Sequence, residues 1–277
     1  MKTNLMGPVD ESVSGLKTQE MGPVLSMPVD EFEKLVKTVM ILIPHRVDWP
    51  IAAPLTQAMA MWARWGAVVG CVPDNFGGFI EIQRAGMVRT FLDFAREHPD
   101  IDKLVMIDSD ENVPYDSPFR LAYWDLPVVS GVVCTYSETR GIFACFTVKD
   151  ENGVARFPSY NFTKKMPGRG LIEAHSVGTG LICIQKAVLE KIYDSNMVPF
   201  YVPEKERLAA AEGGMLKWGE DIAFCRQCEE VGFKRYVDLS VQAVHYKTMP
   251  VSWPRVALDY EIDPLAWKVN PKDYRHG

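Results

Sequence analysis

Long apolar runs are missing from this 277-residue chain. No stretch reaches the roughly 18 to 20 residues that cross a bilayer as a helix, which excludes a helical membrane span. An excess of positive charge is missing too: 30 Lys and Arg stand against 36 Asp and Glu, a formal net charge of −6. That balance offers no broad basic face for nucleic acid. The six cysteines, at 71, 134, 145, 183, 225 and 228, lack the spacing of a disulfide framework. Several lie in apolar runs such as "GLICI" and "FACF" and read as small buried hydrophobes in a reducing compartment. Cys225 and Cys228 form a CxxC, but on a helical stretch with no second pair at zinc-site spacing, so they read as buried or half-buried thiols. The N-terminal "MKTNLMGPVDESVSG" carries acids and prolines where a secretory signal needs an apolar core. The expectation is a soluble, cytoplasmic protein.

What is present is a large apolar fraction, 47%, enough for a real core and against disorder of the whole chain. Residues 1–36, rich in Pro, Ser, Gly and acids, read as a flexible extension. "TVMILIPH" then opens the folded part as a buried strand. A helix in "AAPLTQAMAMWARWG" and a strand in "AVVGCVPD" follow. In "FIEIQRAGMVRTFLDFAREHP" the apolar residues Ile82, Met87, Val88, Phe91 and Phe94 are spaced for one helix face. "KLVMID" is a third strand, "SPFRLAYW" a short helix, and "PVVSGVVC" a fourth strand. The alternation predicts a parallel, doubly wound sheet covered on both faces. Beyond about residue 140, "GIFACFTVK", "LIEAHSV" and "GLICIQ" read as strands in meander, followed by helices in "KAVLEKIYD" and "GEDIAFCRQCEEVGF" and a last strand in "YVDLSVQAVHY".

Chemistry is concentrated at strand ends. Asp108 and Asp110, in "VMIDSDENVP", sit just past an apolar strand, where open α/β sheets bind their ligands. Carboxylates at i and i+2 in a loop can converge on a hard divalent ion, which in turn can bridge the oxygens of a diphosphate. Glu111 and Asn112 read as loop residues leading to Pro114. Glu220 and Asp221 open a helix after Trp218-Gly219. Acids there suit the helix dipole, and they also suit a general base within reach of a substrate hydroxyl. Gly178 and Gly180 flank Thr179 between two strand-like runs, as a close backbone approach or a plain hairpin requires.

In these motifs the chain resembles the nucleotide-sugar-dependent glycosyltransferases of the GT-A fold, especially the small soluble family-2-like enzymes of bacteria and phages. "VMIDSDENVP" matches the DxD motif, "WGEDIAFCRQCEEVGF" the acceptor-side acidic motif, and "VDLSVQAVHYK" the closing strand that ends in a histidine. Order and spacing match over residues from about 38 to 247. The resemblance implies a single GT-A domain over 37–250. Its nucleotide-sugar half, 37–135, would be Rossmann-like with a mostly parallel central sheet. Its acceptor half, 136–250, would carry a smaller mixed sheet, and a tail would fill 251–277. It also implies that Asp110 and His245 ligate Mn2+ or Mg2+, with Asp108 on the ribose or sugar or assisting at the metal. An imidazole among carboxylates favours Mn2+. Asp221, with Glu220 second, would be the base or acceptor orienter.

On the donor side the resemblance places Pro44, His45 and Arg46 in the nucleotide pocket, with Asp48 as a weaker contact to base or ribose, while Ser109, Gly178, Thr179 and Trp218 are further candidates to contact the nucleotide sugar. Arg84 falls where the family has an "ARN"-like string that meets the diphosphate, but this chain has "QRAG". A phosphate contact and a solvated helix face both remain open for it. "WGED" is also similar to the "WGGE"-type motif of retaining relatives, so inverting and retaining outcomes both stand. Trp124, Trp253 and Trp267 could stack on a sugar or base or simply pack. The loop 203–217 has the length and glycines of a lid or of an ordinary surface loop. The expected donor is a nucleoside-diphosphate sugar, and the acceptor a saccharide, a protein, a small molecule or a hydroxymethylated DNA base. The alternatives are a haloacid-dehalogenase-like phosphatase, whose DxD would end the first strand instead of the third, and a GT-A domain that binds nucleotide or glycan without turnover.

Overall fold

The structure, a computed structural model, describes residues 27–45, 51–73, 80–137, 141–149, 152–157, 170–202 and 219–246. Strand β1 (Val39–His45) is buried from Val39 to Pro44, and β3 (Lys103–Ile107) throughout. Continuous burial of this kind marks strands covered on both faces. They pair in parallel, as does β1 with the edge strand β2 (Val68–Pro73). Strands β4 (Glu111–Asn112), β5 (Val128–Ser137), β6 (Gly141–Ala144), β9 (Leu171–Ala174), β11 (Leu181–Gln185) and β12 (Arg235–His245) complete a nine-stranded sheet of order β2-β1-β3-β11-β5-β12-β4. In it β6 pairs with β5, and β9 with β12. Strands β7 (Phe146–Lys149), β8 (Ala155–Arg156) and β10 (Ser176–Val177) form a separate three-stranded antiparallel sheet. A mixed α/β fold with one large and one small sheet agrees with the expected fold class.

Alternation along the strands divides the core in two. Met40, Leu42, Leu104 and Met106 point to one face, with Met87, Val88 and Phe91 of α3 (Ile80–Glu97), Val188 and Leu189 of α5 (Lys186–Asp194) and Phe224 of α6 (Glu220–Glu230). Ile41, Ile43, Val105 and Ile107 point to the other, against Leu55 and Trp62 of α2 (Ala53–Trp65) and Phe119 of α4 (Ser117–Tyr123). On that side the helix α1 (Val29–Lys37) carries Phe32, whose ring lies 5.6 Å from Trp65 and 5.3 Å from Phe119. The segment read as an extension up to residue 36 is therefore helical and packed from Val29.

Two other expectations are corrected. The strands after residue 140 are not a meander: β7 and β10 leave for the small sheet, while β11 inserts between β3 and β5, antiparallel to both. Insertion buries all of "LICI", which a meander at the edge would leave half exposed. In α3, Ile82 is 37% exposed whereas Glu81, Gln83 and Arg84 are buried. The first turn of that helix points polar groups inward because it faces the edge of the sheet where polar partners gather. Among the described residues no helix is long and apolar enough to cross a membrane.

Candidate functional site

Strand directions decide which ends meet. β11 runs antiparallel to β3 and to β5, so β5 runs with β3, and β12, parallel to β5, does too. The carboxyl ends of β1, β3 and β12 and the amino end of β11 therefore open on one edge of the sheet, the usual place for a ligand in such folds.

At that edge Asp108 N–H donates to the Gly180 carbonyl at 2.9 Å, and a turn closed by Glu111 N–H on the Asp108 carbonyl at 3.0 Å returns the chain as β4. β4 pairs antiparallel with the end of β12, Val244 opposite Asn112 and His245 opposite Glu111. Tyr246 N–H adds a bond to the Asp110 carbonyl at 2.8 Å. Backbone pairing thus carries His245 to the DxD segment from 135 residues away. Its Nε2 lies 3.0 Å from Asp110 Oδ2, and its Nδ1 lies 3.1 Å from the Cys134 carbonyl oxygen. Both ring nitrogens thus face oxygens, a carbonyl on one side and a carboxylate on the other, and each of these groups only accepts. An imidazole held in this way is oriented for a metal. Ligand atoms of Asp110, Glu111 and His245 all lie within 4.8 Å of one another. Two carboxylates and an imidazole suit a divalent ion such as Mn2+.

Glu111 is a departure from the sequence reading. It is a fully buried strand residue, with Oε1 3.7 Å from His245 Nδ1, not part of a loop. A strand of two residues has no periodicity to betray it. Gly180 makes room for the acids: a Cβ there would lie 3.1 Å from Glu111 Oε1 and 3.4 Å from Asp108 Oδ2.

Asp108 faces a different partner. The Arg84 guanidinium, 2% exposed, donates from Nη2 to both Asp108 oxygens at 2.9 and 3.1 Å, from Nη1 to the Thr179 carbonyl at 3.2 Å, and from Nε to Glu220 Oε1 at 3.3 Å. One buried cation joins the end of β3, the start of β11 and the first turn of α6. A solvated helix face does not describe this position: Arg84 is buried and its donors hold protein acceptors. Burial pushes the Asp108 carboxyl above its ordinary value, with Asp110 and Glu220 adding and Arg84 opposing. The side chain keeps 25% exposure, which tempers that push. Asp221 is also raised, first by burial and then by Glu220. Its Oδ1 accepts from Ile222 N–H at 2.7 Å.

The other expected residues divide. Pro44 and His45 end β1 on this edge, and His45 Nδ1 is buried with no hydrogen-bond partner among the described residues. The Ser109 carbonyl accepts from Ala52 N–H at 2.9 Å, at the start of α2. A Cβ on Gly178 would lie 2.8 Å from the Cys145 carbonyl oxygen, so the glycine is required by its close packing against the Cys145 backbone. Thr179 is buried and contributes its carbonyl to Arg84. Trp124 donates its Nε1–H to Asp238 at 2.9 Å. Cys225 and Cys228 are buried free thiols, and burial pushes the Cys225 thiol up to about 12. Arg46, Asp48, Trp218, Trp253, Trp267 and the loop 203–217 lie outside the described residues.

Fold and site together define a mixed α/β protein with an acid-imidazole cluster on the carboxyl edge of its sheet. Several solved structures are similar to it at low identity. The crystal structure of A197 from STIV is similar at a TM-score of 0.48 and 20% identity, over 76% of this chain and 85% of that one. That of GalNAc-T7 with UDP, GalNAc and Mn2+ is similar at 0.43 and 10%, over 77% and 44%. HddC from Yersinia pseudotuberculosis follows at 0.33 and 11%, over 78% of each chain. No protein-family model matches the chain, and no curated protein matches it significantly. With TM-scores below 0.5 and identities of 20% or less, these neighbours are too distant to assign roles, which have to come from the geometry of the site.

Proposed function

We propose that the protein is a metal-dependent glycosyltransferase, moving a sugar from a nucleoside-diphosphate sugar to an acceptor hydroxyl in the cytoplasm. The observation that carries this reading is the meeting of Asp110, Glu111 and His245 within 4.8 Å on the same sheet edge as Asp108, Arg84 and the Glu220-Asp221 turn. Asp110, Glu111 and His245 would hold the ion, Mn2+ in preference to Mg2+. A bound divalent ion supplies neutralisation of charge on the leaving diphosphate. Asp108, fixed by two bonds from Arg84, presents its remaining lone pairs towards the ribose or the donor sugar. Asp221, in the first turn of α6, would accept the proton of the acceptor hydroxyl, and its raised basicity suits that task. Glu220, tied to Arg84, links the acceptor side to the donor side. The segment 37–135 supplies the donor site and 136–250 the acceptor side.

The test is a panel of nucleoside-diphosphate sugars with Mn2+, read by slow release of free sugar and by thermal stabilisation, on wild type, Asp110→Ala and His245→Ala. Release by wild type from at least one donor, reduced about tenfold or more in both variants, is expected. No response to any donor, or variants that behave as wild type, would sink the reading. Donor binding without release or transfer would identify a binding domain instead.

A further inference from the structure

We propose that Asp238, seven residues before the histidine, is a positioning residue that sets where His245 points. The idea rests on the metal-site reading, but its structural part stands without a metal. β12 and β5 pair in parallel up to Asp238 opposite Gly131, then resume with Gln242 opposite Val132. β12 thus carries three extra residues, Leu239, Ser240 and Val241, where β5 has none. Side chains alternate with period two, so an odd insertion sends the rest of the strand to the opposite face. His245 reaches its place beside Asp110 only after this reversal.

The irregularity is clipped by Asp238, which is fully buried. Its Oδ1 accepts from Ser240 N–H at 2.8 Å and from Ser240 Oγ–H at 2.5 Å, spanning the bulge, and its Oδ2 accepts the Trp124 indole N–H at 2.9 Å from the end of α4. Arg120 of α4 donates to Ser240 Oγ, so the hydroxyl, accepting on one side, donates to Asp238 on the other. Leu239 N–H bonds the Gly170 carbonyl at 2.9 Å, and Gln242 Nε2 bonds the Leu239 carbonyl at 3.2 Å. Opposite, Gly131 has no Cβ where one would lie 3.0 Å from the Val241 carbonyl oxygen. The described side-chain hydrogen bonds of Asp238 thus tie the bulge residue Ser240 to Trp124. A carboxylate is required because all three donors converge on a group that offers only acceptors. Asparagine would turn an NH2 towards either Trp124 or Ser240, leaving two donors face to face in a buried place.

The experiment compares wild type, Asp238→Asn and Ser240→Ala as full chains. His245 is followed in metal-free protein by 15N-histidine spectra at one pH, its signal assigned with His245→Gln, and Mn2+ affinity by EPR titration. Leu189→Ala, in the core of α5, controls for general destabilisation. Wild type should show a single, ordered His245 signal. Asp238→Asn should show an altered or averaged signal and Mn2+ binding weaker by about tenfold or more, neither of which Leu189→Ala reproduces. If Asp238→Asn fails to fold, Ser240→Ala decides by the same two readouts. A His245 signal and a Mn2+ affinity like those of wild type would overturn the proposal. Should wild type itself bind no Mn2+, the metal reading falls, and the His245 signal alone decides whether the clip positions the imidazole.

Discussion

Replacing Arg84 by methionine removes the cation that bonds Asp108, Glu220 and the Thr179 carbonyl while keeping most of the side-chain volume. Breaking a buried ion pair from one side costs about 3–5 kcal/mol, because a charge is left without compensation. Here Asp108 and Glu220 keep 25% and 18% side-chain exposure, so water softens the penalty and the low end, about 3 kcal/mol, is expected. For a domain of this size about 2–4 °C accompany each kcal/mol, which puts the loss of Tm at about 6–12 °C. The assay is urea and thermal unfolding at pH 7, followed by circular dichroism. Adding Asp108→Asn should recover part of the loss, with a coupling of about 1–3 kcal/mol in the double-mutant cycle. Lowering the pH should shrink the deficit as well, since a protonated Asp108 no longer needs the cation. A single-variant loss below about 1 kcal/mol, or strict additivity with Asp108→Asn, would refute the claim that Arg84 ties three elements together.

Two more expectations bear on the site. The Asp221 carboxyl is raised above its ordinary 3.8, so as a base it is ionised only above that raised value, and kcat/KM should climb with pH through an acid limb displaced upward. Asp221→Asn should lower kcat by about 10²–10⁴ and abolish the limb. A folded-state pKa above the unfolded one means this carboxylate costs stability as pH rises through the raised value, so the same variant should be no less stable than wild type at pH 7. An unchanged profile would remove Asp221 from the base role. Gly180→Ala should push the Glu111 and Asp108 carboxylates aside, weakening Mn2+ about tenfold while changing stability by less than about 1.5 kcal/mol; wild-type Mn2+ affinity in an EPR titration would show that this gap is not part of the site.

The main elements were legible because their signals are local. "MILIP" and "LVMI" are continuous apolar runs and form the buried β1 and β3, and "KAVLEKIYD" and "GEDIAFCRQCEE" form α5 and α6 almost as read. α1 was missed because its fixing contacts, Phe32 on Trp65 and Phe119, join residues far apart in sequence. The first turn of α3 was turned the wrong way because Ile82 satisfies the helical period, while the demand for Arg84 inside comes from Asp108 and Glu220, which the period does not contain. Glu111 was read as a loop residue, and Asp238 was passed over, for a similar reason. One sits in a strand of two residues and the other in a bulge, and neither leaves a repeat to read.

The sequence by itself determined that the chain is α/β, that "DSD" ends an apolar strand, that acids open the helix at 220, and that a histidine closes the last strand. Each follows from apolar period, turn residues or position within a short window. Only the tertiary structure decided that β11 enters the sheet antiparallel between β3 and β5, which aligns β12 with β3 and brings its carboxyl end to the same edge. Only there do Glu111 join Asp110 and His245, Arg84 find Asp108 and Glu220, and Asp238 hold the bulge. Pairing partners, strand direction and the face reached after an odd insertion depend on contacts between distant residues, and local propensity carries no record of them.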